Sequence, residues 1–462
     1  MLKYDYEQLA NGGANPERLA NLFLEEYYEG SQIEFPVNPF EMIRKLGIVF
    51  SFKPFEKYDG IYVPAEDEND IPVIGINLKR PITRQRYTAA HELCHHLKDS
   101  NKYFVCLPNS QSNIEKYAEK FAGELLMPLK YLKEKAKEYE NNGYVDFEDV
   151  VKIADYFGVS FQACVYRLAY RLHMIKGDTG PAELKKRIDK FKPNTVRDNN
   201  GYNDVNLYSQ LFDCYDGQFM CNFRGFAYNK FKNDYIYYDS RMEGVDIDHE
   251  TAAEVVTDLR LKKSESEYCL EKNKNIIEVA GLSLAYDYAF DNFNNNLSIS
   301  QIKEINKCLY STAPYPEFGG EYRQNNPIIT GSNVETVDCY DIIDAMYEID
   351  DELQDINANI NEISISNYLK RALKIHHRLT VIHAFSDGNG RTYRVFLNMM
   401  LLKKGISPTF FTSSDKKKLS EKELYKNALA YADKCDSIDR LFEVFCKNIL
   451  KTDCELAPKA IL

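Results

Sequence analysis

His383-Ala384-Phe385-Ser386-Asp387-Gly388-Asn389-Gly390-Arg391-Thr392-Tyr393-Arg394 runs directly into Val395, Phe396, Leu397, Met399, Met400, Leu401 and Leu402, and the apolar run ends near Gly405. A helix that is apolar on most sides is a buried central helix. The glycine-rich loop therefore delivers its backbone amides at the N-terminus of a core helix, where free N–H groups and the helix dipole favour phosphate. Gly388 and Gly390 let the backbone approach a ligand closely. Arg391 and Arg394 can clamp phosphate oxygens. Asp387 can hold Mg²⁺ against a diphosphate, and His383 can accept a proton from an attacking hydroxyl.

The complete H-x-F-x-D-G-N-G-R-x-x-R string resembles the Fic family, over roughly residues 205–450. The resemblance implies His383 as base, Asp387 as Mg²⁺ ligand, and Gly388, Asn389, Gly390 and Arg391 as phosphate cradle, with Arg394 beside them. The implied reaction is attack of a protein Tyr, Thr or Ser hydroxyl on the α-phosphate of ATP, with pyrophosphate leaving. Ala384 replaces the family's usual Pro at a position that shapes the turn. Upstream, Gly319-Gly320-Glu321-Tyr322-Arg323 and Pro327-Ile328-Ile329-Thr330-Gly331 resemble the family's flap, a β-hairpin that holds the target by strand addition. Tyr322, Arg323, Ile328 and Thr330 are its expected target-binding residues. Ser240-Arg241-Met242-Glu243-Gly244 resembles the inhibitory helix motif, with Ser240 and Glu243 as its working residues; there the Glu pairs with the second motif arginine, here Arg394.

A second pattern lies far upstream, in Tyr87-Thr88-Ala89-Ala90-His91-Glu92-Leu93-Cys94-His95-His96. On a helix, His91 and His95 stand one turn apart and project from one face. Two neutral imidazoles at that spacing can hold Zn²⁺, with Glu92 beside them to accept a proton from water. A third ligand is needed, and the following helix offers Glu115, Glu119 and Glu124. His96 reads as a structural neighbour. The Ile76-Asn77 strand end, the Arg-Tyr-Thr-x-Ala-His-Glu-Leu run and Glu-x-x-Ala-x-x-Phe-Ala-x-x-Leu-Leu-Met-Pro together resemble the ImmA/IrrE family of metallopeptidases, over roughly residues 1–175. That resemblance implies His91, His95 and Glu115 as zinc ligands and Glu92 as general base. The family is associated with cleaving repressor-like regulators in bacteria and phage. Cys94 and Glu119 depart from its usual Gly and Asn, neither at a ligand position.

Around these motifs the chain of 462 residues is 44% hydrophobic, enough for a core in each half, and carries a formal charge of -12. That charge argues against broad nucleic-acid binding. No apolar run is long enough to span a membrane, and the N-terminus has no secretory pattern. Eleven cysteines without a C-x-x-C pair fit reduced thiols in a cytoplasmic protein. A hairpin is predicted around the acidic turn Glu66 to Asp70, helices over about 83–98 and 113–126, and a helical pair over 145–172. That pair lacks a basic stripe, so packing rather than DNA reading is expected of it. The Gly- and Pro-marked stretch 176–204 is predicted to be a linker. His173, His249, His376 and His377 read as structural or surface residues.

The expected fold is mainly α: an α+β metallopeptidase-like domain with a small sheet at 1–175, then an all-α Fic core with a flap at 205–462. The expected function is an autoinhibited protein adenylyltransferase using ATP and Mg²⁺. It is fused to a zinc endopeptidase that cleaves or senses a regulatory protein, in the manner of a bacterial toxin-like stress protein. The alternatives are a peptidase regulated by its Fic half, or an inactive regulatory binding module. The sequence does not decide the oligomeric state.

Overall fold

The computed structural model describes residues 3–106, 112–177, 180–215, 232–270, 272–326, 336–412 and 419–456. Its contacts divide the chain into two compact units, one ending at Cys214 and one starting at Tyr215. Among the described residues no helix is long and apolar enough to cross a membrane.

The first unit opens with α1 (Tyr6–Asn11), α2 (Pro16–Tyr27) and α3 (Pro39–Lys45). Strands β1 (Val49–Lys53), β2 (Gly60–Val63), β3 (Val73–Asn77) and β4 (Phe104–Cys106) make one sheet in the order β1-β3-β2-β4. β2 and β3 form the predicted hairpin, pairing antiparallel with Gly60 opposite Ile76. β3 starts at Val73, directly after Pro72, which has no N–H to give and whose carbonyl accepts from Val49. β1 pairs with β3 in parallel, and β4 is the edge beyond β2, with Cys106 opposite Gly60.

Across this sheet lies α4 (Ile82–Lys98), followed by α5 (Asn113–Leu126) and α6 (Leu129–Lys137). Next come α7 (Phe147–Phe157) and α8 (Phe161–Arg171), the predicted pair, which bury Val150, Ile153, Phe157, Val165 and Leu168 in a common core. The stretch 176–204, expected as a linker, instead carries α9 (Pro181–Lys190) and α10 (Pro193–Asn200). Its prolines open helices at their first turn, and Gly201, at φ 69°, closes one; the apparent breakers are helix punctuation. Leu184 and Ile188, one turn apart, join the α7–α8 core. The following α11 (Val205–Cys214), expected in the second domain, also lies in the first unit. Fully buried Arg86 on α4 fixes it there. Its guanidinium donates to the carbonyls of Val37 (2.6 Å) and Gly158 (3.2 Å) and to Gln210 Oε1 (2.7 Å), while Gln210 donates to the Pro36 carbonyl.

Every named element of the second unit is a helix. A helix over 232–242 (α12) precedes α13 (His249–Lys262), α14 (Lys274–Asn292) and α15 (Ile299–Tyr310). Then follow α16 (Ile342–Asn359), α17 (Ile365–Ile382), α18 (Asn389–Lys403), α19 (Glu421–Cys435) and α20 (Asp439–Leu456). α18 is the central helix that the sequence predicts, buried from Arg391 through Leu402 and packed by α14, α15 and α17. Gly281 sets the distance between α14 and α15: a β-carbon there would overlap the Leu309 carbonyl. Gly281→Ala is expected to destabilise this unit by about 1–3 kcal/mol through overpacking. Differential scanning calorimetry checks this; an unchanged melting temperature for the second unit would contradict it.

Candidate functional site

The histidine pair sits on α4 with both rings facing the start of α5. Ser112 caps α5, its Oγ accepting from the Glu115 N–H at 3.1 Å, and this places Glu115 in the first turn beside the imidazoles. His91 Nε2 lies 3.1 Å from Glu115 Oε2, His95 Nε2 lies 3.4 Å from Oε1, and the two Nε2 atoms are 3.2 Å apart. Ligand atoms arranged tetrahedrally at zinc–nitrogen and zinc–oxygen distances lie about 3.4 Å from one another. The observed spacing matches, so these three residues can hold one metal ion. The other two carboxylates are elsewhere: Glu124 is held by Arg167, Asn21 and the Leu129 N–H, and Glu119 is not in the cluster.

Glu92, fully buried, has no hydrogen-bond partner on either carboxylate oxygen among the described residues; burial, then Glu115, raises its pKa well above the usual carboxylate range. Gly60 makes room for it, since a β-carbon there would come within 2.7 Å of Glu92 Oε1. His95 stacks on Phe104 with ring centres 4.0 Å apart. His96 points away, its Nδ1 3.0 Å from the Tyr62 hydroxyl.

In the second unit, α17 ends at His383, whose left-handed backbone (φ 51°) turns the chain into the loop. Asn389 holds that loop closed. Its Oδ1 accepts from the Phe385 N–H and the Tyr393 hydroxyl, and its Nδ2 donates to the Phe385 carbonyl. Asn389 was expected to contact nucleotide; its side chain is buried and spent on the turn. Gly388 caps α18 at φ 75° with no side chain bonding to the first amides. Arg391 pairs with Glu278 at 3.2 Å and lies 3.7 Å from the exposed Asp387 carboxylate.

Arg394 is buried and held by two carboxylates. Its Nε donates to Asp239 at 2.5 Å and its Nη2 to Glu243 at 2.7 Å. Asp239 is buried and accepts from the Tyr286 hydroxyl, whereas Glu243 is partly open. Burial works against the Glu243 carboxylate, but Arg394 outweighs it and holds its pKa below the ordinary value. Glu243 also crosses the mouth of the glycine loop, with Oε1 2.9 Å from where a Gly390 β-carbon would be. Ser240, expected to act with Glu243, is buried with an unpartnered hydroxyl; the side chain that reaches Arg394 belongs to Asp239, one residue earlier. An acidic residue four before Glu243 on a helix was the available signal.

Of the expected flap residues, Ile328 and Thr330 lie outside the described residues. Tyr322 bridges to Phe385, and Arg323 is buried rather than turned toward a target. The Arg323 guanidinium donates to the carbonyls of His383 (2.8 Å), Asn325 (2.8 Å) and Val337 and to Asn326 Oδ1, so it ties the segment to the His383 loop. His383 itself has its pKa lowered by burial first and by Arg323 second, while a hydrogen bond donated by its ring to the Thr380 carbonyl and the charge of Asp387 act the other way. His376 is buried between the Tyr393 carbonyl and the Tyr425 hydroxyl, in a structural role.

Comparison with known proteins gives the class of each half. Residues 43–169 match the IrrE N-terminal-like domain family of M78 peptidases, and residues 296–401 match the Fic/DOC family. The chain therefore joins an ImmA/IrrE-type domain to a Fic domain. Protein adenylyltransferase Fic of Aedes aegypti is 28% identical over 144 residues, 30% of this chain and 27% of that protein. That of Culex quinquefasciatus is 26% identical over the same shares. The match thus spans about a quarter of the length of these curated relatives. Among solved structures, Fic-1 of C. elegans aligns with a TM-score of 0.41 at 16% identity, over 72% of this chain and 87% of that one.

Proposed function

We propose that the second unit transfers AMP from ATP to a protein Ser, Thr or Tyr hydroxyl, and that Glu243 holds it off. The observation that carries this is the Arg394 guanidinium bound to Glu243 at the mouth of the glycine loop. With Glu243 withdrawn, the first amides of α18 and the Arg391 and Arg394 side chains would receive the triphosphate. The target oxygen attacks the α-phosphorus, the bond to pyrophosphate breaks, and His383 accepts the hydroxyl proton. Its lowered pKa keeps the imidazole neutral for that step. Asp387, exposed beside Arg391, would hold Mg²⁺, which when bound neutralises diphosphate charge. The test uses ATP labelled at the α-phosphate: label moves to protein with Glu243→Gly and not with the added His383→Ala. Equal labelling in both variants would refute the assignment.

Arg323 enters the same reading as a positioning residue, capping the loop that aims His383. In the Glu243→Gly background, Arg323→Met is expected to lower transfer about 10- to 100-fold. It also removes a cation that depresses the His383 pKa. The acid limb of the pH–rate profile should therefore move to higher pH, and Arg323→Lys should restore it in part. An unmoved limb would leave Arg323 a purely structural tie.

In the first unit we propose that His91, His95 and Glu115 hold zinc and that Glu92 takes the proton from water attacking a peptide bond of a regulatory protein. Zinc, when bound, supplies a Lewis acid. Among the described residues no side chain hydrogen-bonds the Glu92 carboxyl, which leaves it available to that water.

A further inference from the structure

α15 is tied to the glycine loop through Asn306. Its Nδ2 donates to the Asp387 carbonyl (3.3 Å) and to Thr392 Oγ1 (3.0 Å), and its Oδ1 accepts the Gly320 N–H (2.9 Å). One helical turn later, on the same face, stands Tyr310, the last residue of α15, which is 8% exposed. Its ring lies on Gly388, the residue that opens α18. A β-carbon at Gly388 would come within 3.3 Å of both Cε2 and Oη of Tyr310, so the glycine makes room for the ring. The Tyr310 hydroxyl is buried, and no described residue completes a hydrogen bond to it. Asp387 and Arg391 are charged groups that act on it. Arg391 Nε is likewise buried and unpartnered among the described residues. Buried donors without acceptors are costly and uncommon. Here two of them stand by the first amides of α18, which no side chain caps.

We propose that Tyr310 is a further nucleotide-binding residue, its hydroxyl donating to the diphosphate of ATP beside the α18 amides. The inference rests on the transferase reading above and adds a phosphate donor that the H-x-F-x-D-G-N-G-R-x-x-R string does not contain. A phenol donates one hydrogen bond, and such a bond is strong when the acceptor is charged. Asp387 and Arg391 stand by the hydroxyl, and in that reading both turn to metal and phosphate. Engaging the nucleotide therefore opens the hydroxyl to it. The contact falls where the diphosphate is held, so ADP keeps it and adenosine lacks it.

The experiment uses the full chain carrying Glu243→Gly, with and without Tyr310→Phe, which keeps the ring and deletes the hydroxyl. Calorimetric titration with ATP and with ADP, each without and with Mg²⁺, is expected to show about 10- to 100-fold weaker binding in the Phe variant, the loss of one hydrogen bond to a charged group. Adenosine should bind both proteins equally. Without nucleotide the melting temperature of the second unit should not fall, because the hydroxyl leaves no protein partner behind. Equal ATP affinity in the two proteins, a loss that extends to adenosine, or a lowered melting temperature overturns the role of Tyr310 and leaves the transferase reading standing. A loss seen only with Mg²⁺ also overturns it, since the hydroxyl then acts through Asp387. ATP bound by neither protein overturns the two together.

Discussion

Glu243→Gly is expected to raise AMP transfer about 10- to 100-fold over the parent chain. A hydrogen bond between charged partners is worth about 1.5–3 kcal/mol, and each 1.4 kcal/mol is tenfold. Glu243 makes one such bond to Arg394 and also lays a carboxylate across the amides of α18, where phosphate would bind. Removing it frees Nη2 and takes a negative charge from the path of the nucleotide. Asp239 stays, holding Nε, so the guanidinium keeps its orientation instead of swinging into solvent. Label transfer from ATP measures the gain, and parent activity equal to that of the variant would show that Glu243 restrains nothing.

The second large effect belongs to the metal. His91→Ala is expected to reduce bound zinc from about one equivalent to less than a tenth, with a loss of about 10 °C in the melting of the first unit. A ligand present at 1,000 times its dissociation constant stabilises by about 4 kcal/mol, and a unit of this size melts about 2–4 °C lower per kcal/mol lost. The variant leaves Glu92 and Glu115 buried side by side without a cation between the helices that carry them. Metal analysis and calorimetry check the two halves separately. Retained zinc would mean that other ligands suffice.

Much of this was readable from the chain because both sites are local. His91 and His95 need only one helical turn, and the loop from His383 to Arg394 folds on itself through Asn389 and Tyr393. The buried α18 followed from apolar patterning, and the mainly α architecture from that patterning together with the two family resemblances. What the sequence hid depends on distance along the chain. Asp239 and Arg394 are 155 residues apart, and Arg323 turns inward because carbonyls from two segments meet there. The helices within 176–204 were obscured because proline and glycine mark helix starts and stops as well as turns.

The Arg86 cluster bears on where a working fragment can be cut. A piece stopped at 175, where recognisable motif text ends, would discard Gln210, leave Arg86 with only two carbonyls to grip, and uncover the apolar surface that Leu207, Leu211 and Phe212 bury. Losing that burial costs several kcal/mol, a large share of what a small protein has in reserve. The shortest autonomous front half should therefore include Cys214, and preparations ending earlier should be recovered as aggregate.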